Sequence, residues 1–353
     1  MRASLSRVRI RLALASLLVV ACGVGVGAQP VWQGPAPRPS ALAASLARAL
    51  ASGDVVLRPD TEAAEWWAGA PSMVRDDAGV FWMAARMRSP EAPRGQRGYE
   101  IRILRSTDGV RFDAVHHIRR GEVPVPGFER PALVIDPVTR RFKLYLCGAW
   151  QGGAWAILKL DDADTPAGFR ASTARPVITA PPRQSDRDVS VHEYKDPVVM
   201  HDGQRWHAFV IGYVRQNERT YHFTSDDGER WAPVGDVNAP MLDLVGWRNF
   251  FARPASVLPL GVGWLFVYEG SSTTWDDPVY NIGTGLAFTF DLHHLVDLTP
   301  DGPVGLSTTP GRLHTWRYSQ WLRVGDELWI YAEVARPDQA HEVRRFRLPV
   351  PVR

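Results

Sequence analysis

From residue 54 onward the chain is a succession of short apolar runs, many with period-two alternation, separated by turn formers, and this pattern predicts strands. Four runs open alike: "APSMV" at 70–74, "RPALV" at 130–134, "DPVVM" at 196–200 and "RPASV" at 253–257. Each is followed by a turn and a second run: "VFWMAAR" (80–86), "RFKLYLCG" (141–148), "RWHAFVIG" (205–212) and "GWLFVYEG" (263–270). Third runs occupy 99–106, 154–161, 220–226 and 283–291, and shorter fourth ones fall near Phe112, Phe169, Trp231 and Val296. A fifth unit, "SQWLRV" (319–324), "ELWIYAEV" (327–334) and "EVRRFRLPV" (342–350), lacks the opening proline.

The prolines at 71, 131, 197 and 254 are separated by 60, 66 and 57 residues, which defines a repeated unit. Five such four-stranded units predict an all-β fold, a five-bladed β-propeller of antiparallel blades, over residues 54–353. A β-sandwich does not predict five successive equal units. Proline lacks the N–H that a central ladder needs, so each is expected to begin an innermost strand. "GDVVLRP" (53–59) is expected to supply the strand that closes the ring. "STDGVRF" (106–112) and "SDDGERW" (225–231) read as tight turns between third and fourth strands, with the aromatic filling the blade.

The segment ahead of the repeats has a different character. Arg2, Arg7, Arg9 and Arg11 precede an apolar run from Leu12 to Ala21 that is too short to span a bilayer, so residues 1–28 read as a secretory signal. Two cleavage readings stay open: after "VGA" at Ala28, or within a lipobox-like "VVAC" that makes Cys22 a lipid-anchored N-terminus and the signal 1–21. Residues 29–53 read as a Pro-rich spacer (33–39) and a short N-terminal helix (40–53) capped by Ser40 and ended by Gly53. The expected location is extracytoplasmic, periplasmic or secreted, with a membrane engaged only through Cys22. Without the four leader arginines the chain has 37 Lys+Arg against 38 Asp+Glu, so its basicity gives no argument for nucleic acid. Cys147 is the other cysteine, and no internal disulfide is expected.

In an antiparallel blade the start of the innermost strand and the end of the second lie at one face. That face should collect Ala70, Glu129, Arg130, Asp196 and Arg253, together with Arg86, Trp150, Tyr213, Glu269 and Glu333. The preceding loops add Trp66, Trp67, His192, Glu193, Trp247, Arg248, His314, Trp316, Arg317 and Tyr318, and the loop 271–281 adds Trp275. Trp66, Trp67, Trp150, Trp247, Trp275 and Trp316 fall outside the strand pattern, whereas Trp82, Trp155, Trp206, Trp264 and Trp329 have a packing explanation. Flat aromatics on one face suit sugar rings, with Tyr318, arginines and carboxylates for the hydroxyls. Arg86, Arg130, Arg248, Arg253 and Arg317 would also match a uronate, sulfate or phosphate, or pair with the carboxylates beside them.

On these motifs the chain resembles the five-bladed propeller glycosidases: the arabinanase/xylosidase-type family 43, the invertase-type family 32 and the mannoside-phosphorylase-type family 130. In the first two, an Asp before Pro opens blades one and three, and a Glu two residues before Pro opens blade four. "KDP" at 195–197 matches the blade-three position, and the resemblance implies that Asp196 tunes the acid or steadies the transition state. Blade one reads "GAP" with Ala70, and blade four reads "ARP" with Ala252, so two motif carboxylates are replaced by alanine. Blade two reads "GFERP", with Arg130 where the phosphorylases carry a catalytic Asp.

Glycoside cleavage needs two carboxyl groups flanking the scissile bond. The candidates are Asp196, Glu129, Glu269 and Glu333, with Glu65 and Glu193 behind them. Glu269, which ends "VYEG" beside a glycine, is the expected general acid, and Glu129 or Asp196 the base or nucleophile. The expected function is hydrolysis of glycosidic bonds in an oligo- or polysaccharide of plant or microbial origin. A non-catalytic glycan-binding propeller and a glycoside phosphorylase are the alternatives. A sialidase, with an Arg cluster and a Tyr–Glu pair, is a narrower anionic version but usually has six blades. No cofactor is required; some relatives imply a calcium or other axial ion, to which His314 or Asp196 could contribute. The mature N-terminus separates the two leader readings: a Cys22→Ser chain loses acyl labelling and detergent partitioning if the lipobox is used, whereas a mature chain starting at Gln29 by mass spectrometry excludes it.

Overall fold

The computed structural model describes residues 50, 52–182, 185, 189–214, 217–306 and 313–350. The leader, the spacer and nearly all of the expected helix lie outside them.

Twenty strands fall into five antiparallel blades. Blade one is β2 (Trp67–Arg75), β3 (Phe81–Arg88), β4 (Gly98–Ser106) and β5 (Asp113–Arg119). Blade two is β6 (Ala132–Ile135), β7 (Phe142–Ala149), β8 (Trp155–Lys159) and β9 (Arg175–Ile178). Blade three is β10 (Glu193–His201), β11 (Trp206–Val214), β12 (Asn217–Ser225) and β13 (Ala232–Pro233). Blade four is β14 (Phe251–Pro259), β15 (Trp264–Ser271), β16 (Gly283–Thr289) and β17 (Val296–Asp297). Blade five is β18 (Trp316–Val324), β19 (Glu327–Ala335) and β20 (His341–Pro349), completed by β1 (Asp54–Leu57). The closing strand pairs Asp54 with Arg345 and Leu57 with Val343, as its sequence predicts. The innermost strands β2, β6, β10, β14 and β18 touch one another in cyclic order, which closes the ring.

Alternation places the apolar faces of neighbouring blades against each other, so one core forms at each of the five blade interfaces. Ile101 and Ile103 of blade one meet Leu144 and Leu158 of blade two, and Cys147 and Ile157 meet Ala208 and Tyr221 of blade three. Phe209 meets Phe266, Val267 meets Ile330, and Tyr331 meets Met83 across the remaining interfaces.

The prolines do not begin their strands as expected. Pro131 stands just ahead of β6, but Pro71, Pro197 and Pro254 lie inside β2, β10 and β14, at register shifts between Gly69 and Ser72, Lys195 and Val198, and Pro254 and Ser256. A bulge leaves one residue unpaired, so the missing N–H is tolerated in mid-strand. Blade five has the same bulge between Arg317 and Gln320, with Ser319 in place of proline. At three bulges the residue ahead takes a left-handed conformation: Ala70 (φ 48°), Asp196 (φ 50°) and Tyr318 (φ 53°). The fourth strand of blade two also comes later than predicted, because 3₁₀ turns at Pro166–Gly168 and Ala171–Thr173 intervene and Phe169 fills the core instead.

The Ser-x-Asp-Gly turns are structural, as read. Ser106 Oγ and Asp108 Oδ1 accept the N–H groups of Gly109, Val110 and Arg111, and Ser225 and Asp227 repeat the arrangement. Gly109 O accepts the Tyr331 hydroxyl of blade five at 2.9 Å, and Gly228 O that of Tyr145 of blade two at 2.7 Å, so each turn fastens two blades. A third copy at Thr289 and Asp291 puts Leu292 at the glycine position with φ 63°. At Gly109 (φ 70°) an added Cβ would lie 2.5 Å from the Trp329 ring and 2.7 Å from the Tyr331 hydroxyl. Gly109→Ala should therefore destabilise the fold by about 1–3 kcal/mol in urea titrations. Gly121→Ala, where a Cβ meets nothing within 4 Å, should be near neutral, and equal midpoints for the two would contradict this account.

Candidate active site

The starts of the innermost strands and the ends of the second strands line a pocket of about 400 Å³ at one end of the axis. Its wall includes Arg88, Arg94, Glu129, Trp155, Glu193, Lys195, Tyr213, Glu218, Phe251, Arg253, Tyr280, Arg317 and Tyr318. The face is the one the strand order predicts. The third strands also start there, which is how Trp155 (β8) and Glu218 (β12) reach the wall; the sequence reading assigned Trp155 to packing and did not consider Glu218.

Four guanidinium groups surround the ring of Tyr318: the Cζ atoms of Arg317, Arg253, Arg86 and Arg130 lie 4.8, 5.1, 5.4 and 5.7 Å from its centroid. Its hydroxyl donates to Asp196 Oδ2 at 3.0 Å. Burial, then Asp196, push the phenol well above its usual range, so it keeps its proton. Asp196 Oδ1 accepts the Arg130 N–H at 3.0 Å, and the carboxylate is 1% exposed. Asp196 thus lies behind Tyr318 and off the pocket wall.

Arg130 donates to Pro254 O and Ala255 O, tying blade two to blade four, and does not line the pocket. Arg86 stands behind the wall, paired with Glu129 and, at 3.2 Å, with Glu333. Arg253 does line the wall and bridges Glu218 at 3.1 Å and Glu269 at 2.6 Å.

The carboxylates sort by their partners. Glu269 corrects an expectation: it is fully buried, one oxygen taken by Arg253 and the other by the Tyr318 N–H, so no proton donor faces the pocket there. Glu333 is also fully buried, between Arg317 (2.7 Å), Arg86, His341 Nδ1 (2.6 Å) and the Ala70 N–H (2.9 Å). An added Cβ on Gly69 would sit 1.9 Å from a Glu333 oxygen, so blade one makes room for it by having no side chain. Glu218 on the wall is held by Lys195 at 3.3 Å and Arg253.

Glu129 and Glu193 differ from these. Glu129 reaches the pocket with 16% of its side chain exposed and pairs with Arg86. Burial alone would raise its pKa, but Arg86 and then Lys195 outweigh it and hold the carboxylate ionised. Glu193, half-buried at the start of β10, has no ion pair among the described residues, and burial raises its pKa above the usual carboxylate value. Environment drives these two wall carboxyls apart.

The loop tryptophans were expected to offer sugar platforms, and four of them are core. Trp67 stacks on His341 at 3.9 Å, Trp247 on Tyr268 and Trp275, and Trp316 packs between blades four and five. Trp66 and Trp150 are half-buried and lie off the pocket. The aromatic wall consists of Trp155, Tyr213, Phe251, Tyr280 and Tyr318. An axial cation does not suit these residues. Four guanidinium groups ring the floor, and among the described residues no three His, Cys, Asp or Glu converge on a point.

No family model matches the chain, and no curated protein matches it in sequence. Solved structures do share its fold. A glycosyl hydrolase from Bacteroides ovatus superposes with a TM-score of 0.62 at 12% identity, covering 85% of this chain and 94% of that one. The β-1,2-mannobiose phosphorylase of Listeria innocua gives 0.59 at 12%, covering 84% and 94%. A thermostable family-43 glycoside hydrolase gives 0.57 at 10%, covering 84% and 93%. At such identity the likeness establishes the fold: the chain has the architecture of the propeller glycoside hydrolases and phosphorylases.

The buried charges beneath the pocket make stability depend on acid. Burial lowers the pKa of His341 to about 4, against Glu333 beside it, so the ring is neutral in the fold. A group bound to fewer protons when folded contributes fully above its unfolded value near 6.5 and loses that contribution as pH falls toward 4. His207 and His222 are depressed too, and Glu333, held well below 4.5, adds a further loss at lower pH. Urea midpoints should be flat above about pH 7 and fall from pH 6.5 to 4. His341→Gln should reduce that slope, and an unchanged slope would show that His341 takes up no extra proton on unfolding in this range.

Proposed function

We propose that the protein is a carbohydrate-active enzyme that hydrolyses glycosidic bonds in the axial pocket, with Glu193 as general acid and Glu129 as the partner carboxylate. The observation that carries this is the pair itself: two carboxyls lining one pocket, one held ionised by Arg86 and Lys195, the other with no ion pair among the described residues and with its pKa raised by burial. A protonated Glu193 can deliver its proton to the leaving oxygen. Glu129 then attacks the anomeric carbon or activates water, according to whether the carboxyls stand about 5–5.5 Å or 6.5–9.5 Å apart about the bond. Asp196 is a positioning residue in this reading: it fixes the Tyr318 hydroxyl and sets negative charge beneath four guanidinium groups. The aromatic wall supports the choice of a glycan, as do the enzymes that share the fold.

The substrate would be an oligo- or polysaccharide met outside the cytoplasm, reached by way of the arginine-led apolar leader, with Cys22 as a lipid anchor if the lipobox is used. Ala70 and Ala252 at two motif positions favour a second reading, a propeller that binds glycan without cutting it. Arabinoside, xyloside, galactoside and uronic-acid oligosaccharides would be assayed for sugar release and, separately, for binding. Glu129→Gln should lower turnover on all cleaved substrates by about 10²–10³ or more, and Glu193→Gln should do so on natural linkages but recover on aryl glycosides, whose leaving group needs little protonation. Asp196→Asn should cut turnover while binding changes less. A wild-type protein that binds a glycan and releases nothing, with variants that bind equally well, is lectin-like, and the catalytic assignment then fails.

A further inference from the structure

Three of the five basic side chains on the pocket wall already have carboxylates. Arg253 is bound to Glu218 and Glu269, Arg317 to Glu333, and Lys195 to Glu218. Arg88 and Arg94 have none within ion-pair distance among the described residues. Arg88 ends β3, is only 6% exposed, and lies over Trp67 with Cζ 3.7 Å from the ring centroid. Its one hydrogen bond among the described residues runs from Nη2 to the Tyr280 hydroxyl at 3.3 Å, and its Nε is buried with no partner. Arg94, exposed at the rim, brings its Cζ to 5.4 Å from the Tyr280 ring, on which Arg88 also bears at 5.8 Å.

A guanidinium cannot shed its proton to escape such a site, and an unpaired buried charge is costly. The fork is shaped for a planar oxyanion. Burial, then Arg86, work against the charge on Arg88; burial would raise the Tyr280 phenol, but Arg88 and then Arg94 outweigh it and draw it below its usual pKa, so the field there is positive.

We propose that Arg88 and Arg94 form a subsite for the carboxylate of an acidic sugar, so that the glycan taken by this pocket carries uronic acid. The inference rests on the carbohydrate reading and narrows its substrate class. A uronate joins in one residue the two features the wall offers, a planar anion for Arg88 and an apolar ring face for Tyr280 and Trp155. Its charge is carried on a carbon other than the anomeric one, so binding the carboxylate at Arg88 does not occupy the bond to be cleaved. Free phosphate has the charge without the ring.

The test is calorimetric titration with galacturonate and glucuronate oligosaccharides, neutral oligosaccharides of matched length, and inorganic phosphate, at low and high salt, with sugar release assayed in parallel. Acidic oligosaccharides should bind at least tenfold tighter than neutral ones, and salt should erode the preference. Arg94→Gln, on an exposed side chain that cannot unsettle the core, should reduce the preference three- to tenfold. Arg88→Gln should abolish it, and Arg88→Lys should restore only part, because an ammonium keeps the charge without the fork. Equal affinity for acidic and neutral chains, or variants that weaken both alike, would overturn the subsite even if neutral glycans are cut, leaving the hydrolase reading intact. Arg88-dependent phosphate binding with phosphate-dependent cleavage would overturn it in favour of a phosphorylase. Arg88-dependent uronate binding with no cleavage would uphold the subsite and sink the hydrolase. Binding of no glycan at all would sink both.

Discussion

A tyrosine ringed by four guanidinium groups is stable in a protein interior only if carboxylates stand behind them, and that requirement orders the upper end of the propeller. Asp196, Glu269 and Glu333 are each almost fully buried, and each neutralises part of the ring around Tyr318. Removing one would leave a buried charge without its partner, which is far more damaging than the modest net gain of forming the pair. Their value lies in fixing where the wall residues stand. Arg317, held by Glu333, and Arg253, held between Glu218 and Glu269, cannot swing into the pocket or out of it.

The bulges make that ring of charge geometrically available. A regular innermost strand would turn alternate side chains toward the neighbouring blades; one extra residue lets the chain turn a side chain toward the axis and then recover its register. Ala70, Asp196 and Tyr318 hold left-handed conformations that a residue with a Cβ rarely adopts, and each is secured by bonds from another blade. The Ala70 N–H binds Glu333, Asp196 accepts from Arg130 and Tyr318, and the Tyr318 N–H binds Glu269. Local strain and long-range pairing therefore sustain each other around the axis.

The repeat was legible because it has two independent signals, the spacing of the prolines and the alternation of the runs, and both survive in every blade but the last. The bulge was not legible: a proline reads alike at a strand's first residue and at a mid-strand irregularity. The fold-level geometry correctly placed Glu129, Arg253, Arg317 and Tyr318 at one end. What the sequence could not rank was burial. Glu269 and Glu193 both sit on the predicted face, yet Arg253 and the Tyr318 N–H occupy both oxygens of one, while the other has no ion pair among the described residues. The tryptophans misled for a related reason. A loop between strands of a tightly wound propeller is itself packed, so Trp247 and Trp275 go inward, as does Trp67 at the start of β2, while Trp155 at the start of β8 faces the pocket.

Ala70 acquires a physical meaning in this setting. Where the families this sequence resembles place a carboxylate ahead of the blade-one proline, this chain has Gly69 and Ala70, and the Glu333 carboxylate from blade five fills the space against the Ala70 N–H. Negative charge at that corner is preserved, but it arrives from a neighbouring blade and is saturated by Arg86, Arg317 and His341, so it is unavailable as a nucleophile. Glu129, one residue ahead of Arg130, and Glu193, three ahead of Asp196, do reach the pocket: Arg86 and then Lys195 hold Glu129 ionised against its burial, and burial gives Glu193 its raised pKa. At this end of the axis the chain departs from the pattern it resembles: the carboxylate at the blade-one corner is a buried partner of arginine, and carboxyls that meet the pocket stand just ahead of Arg130 and Asp196.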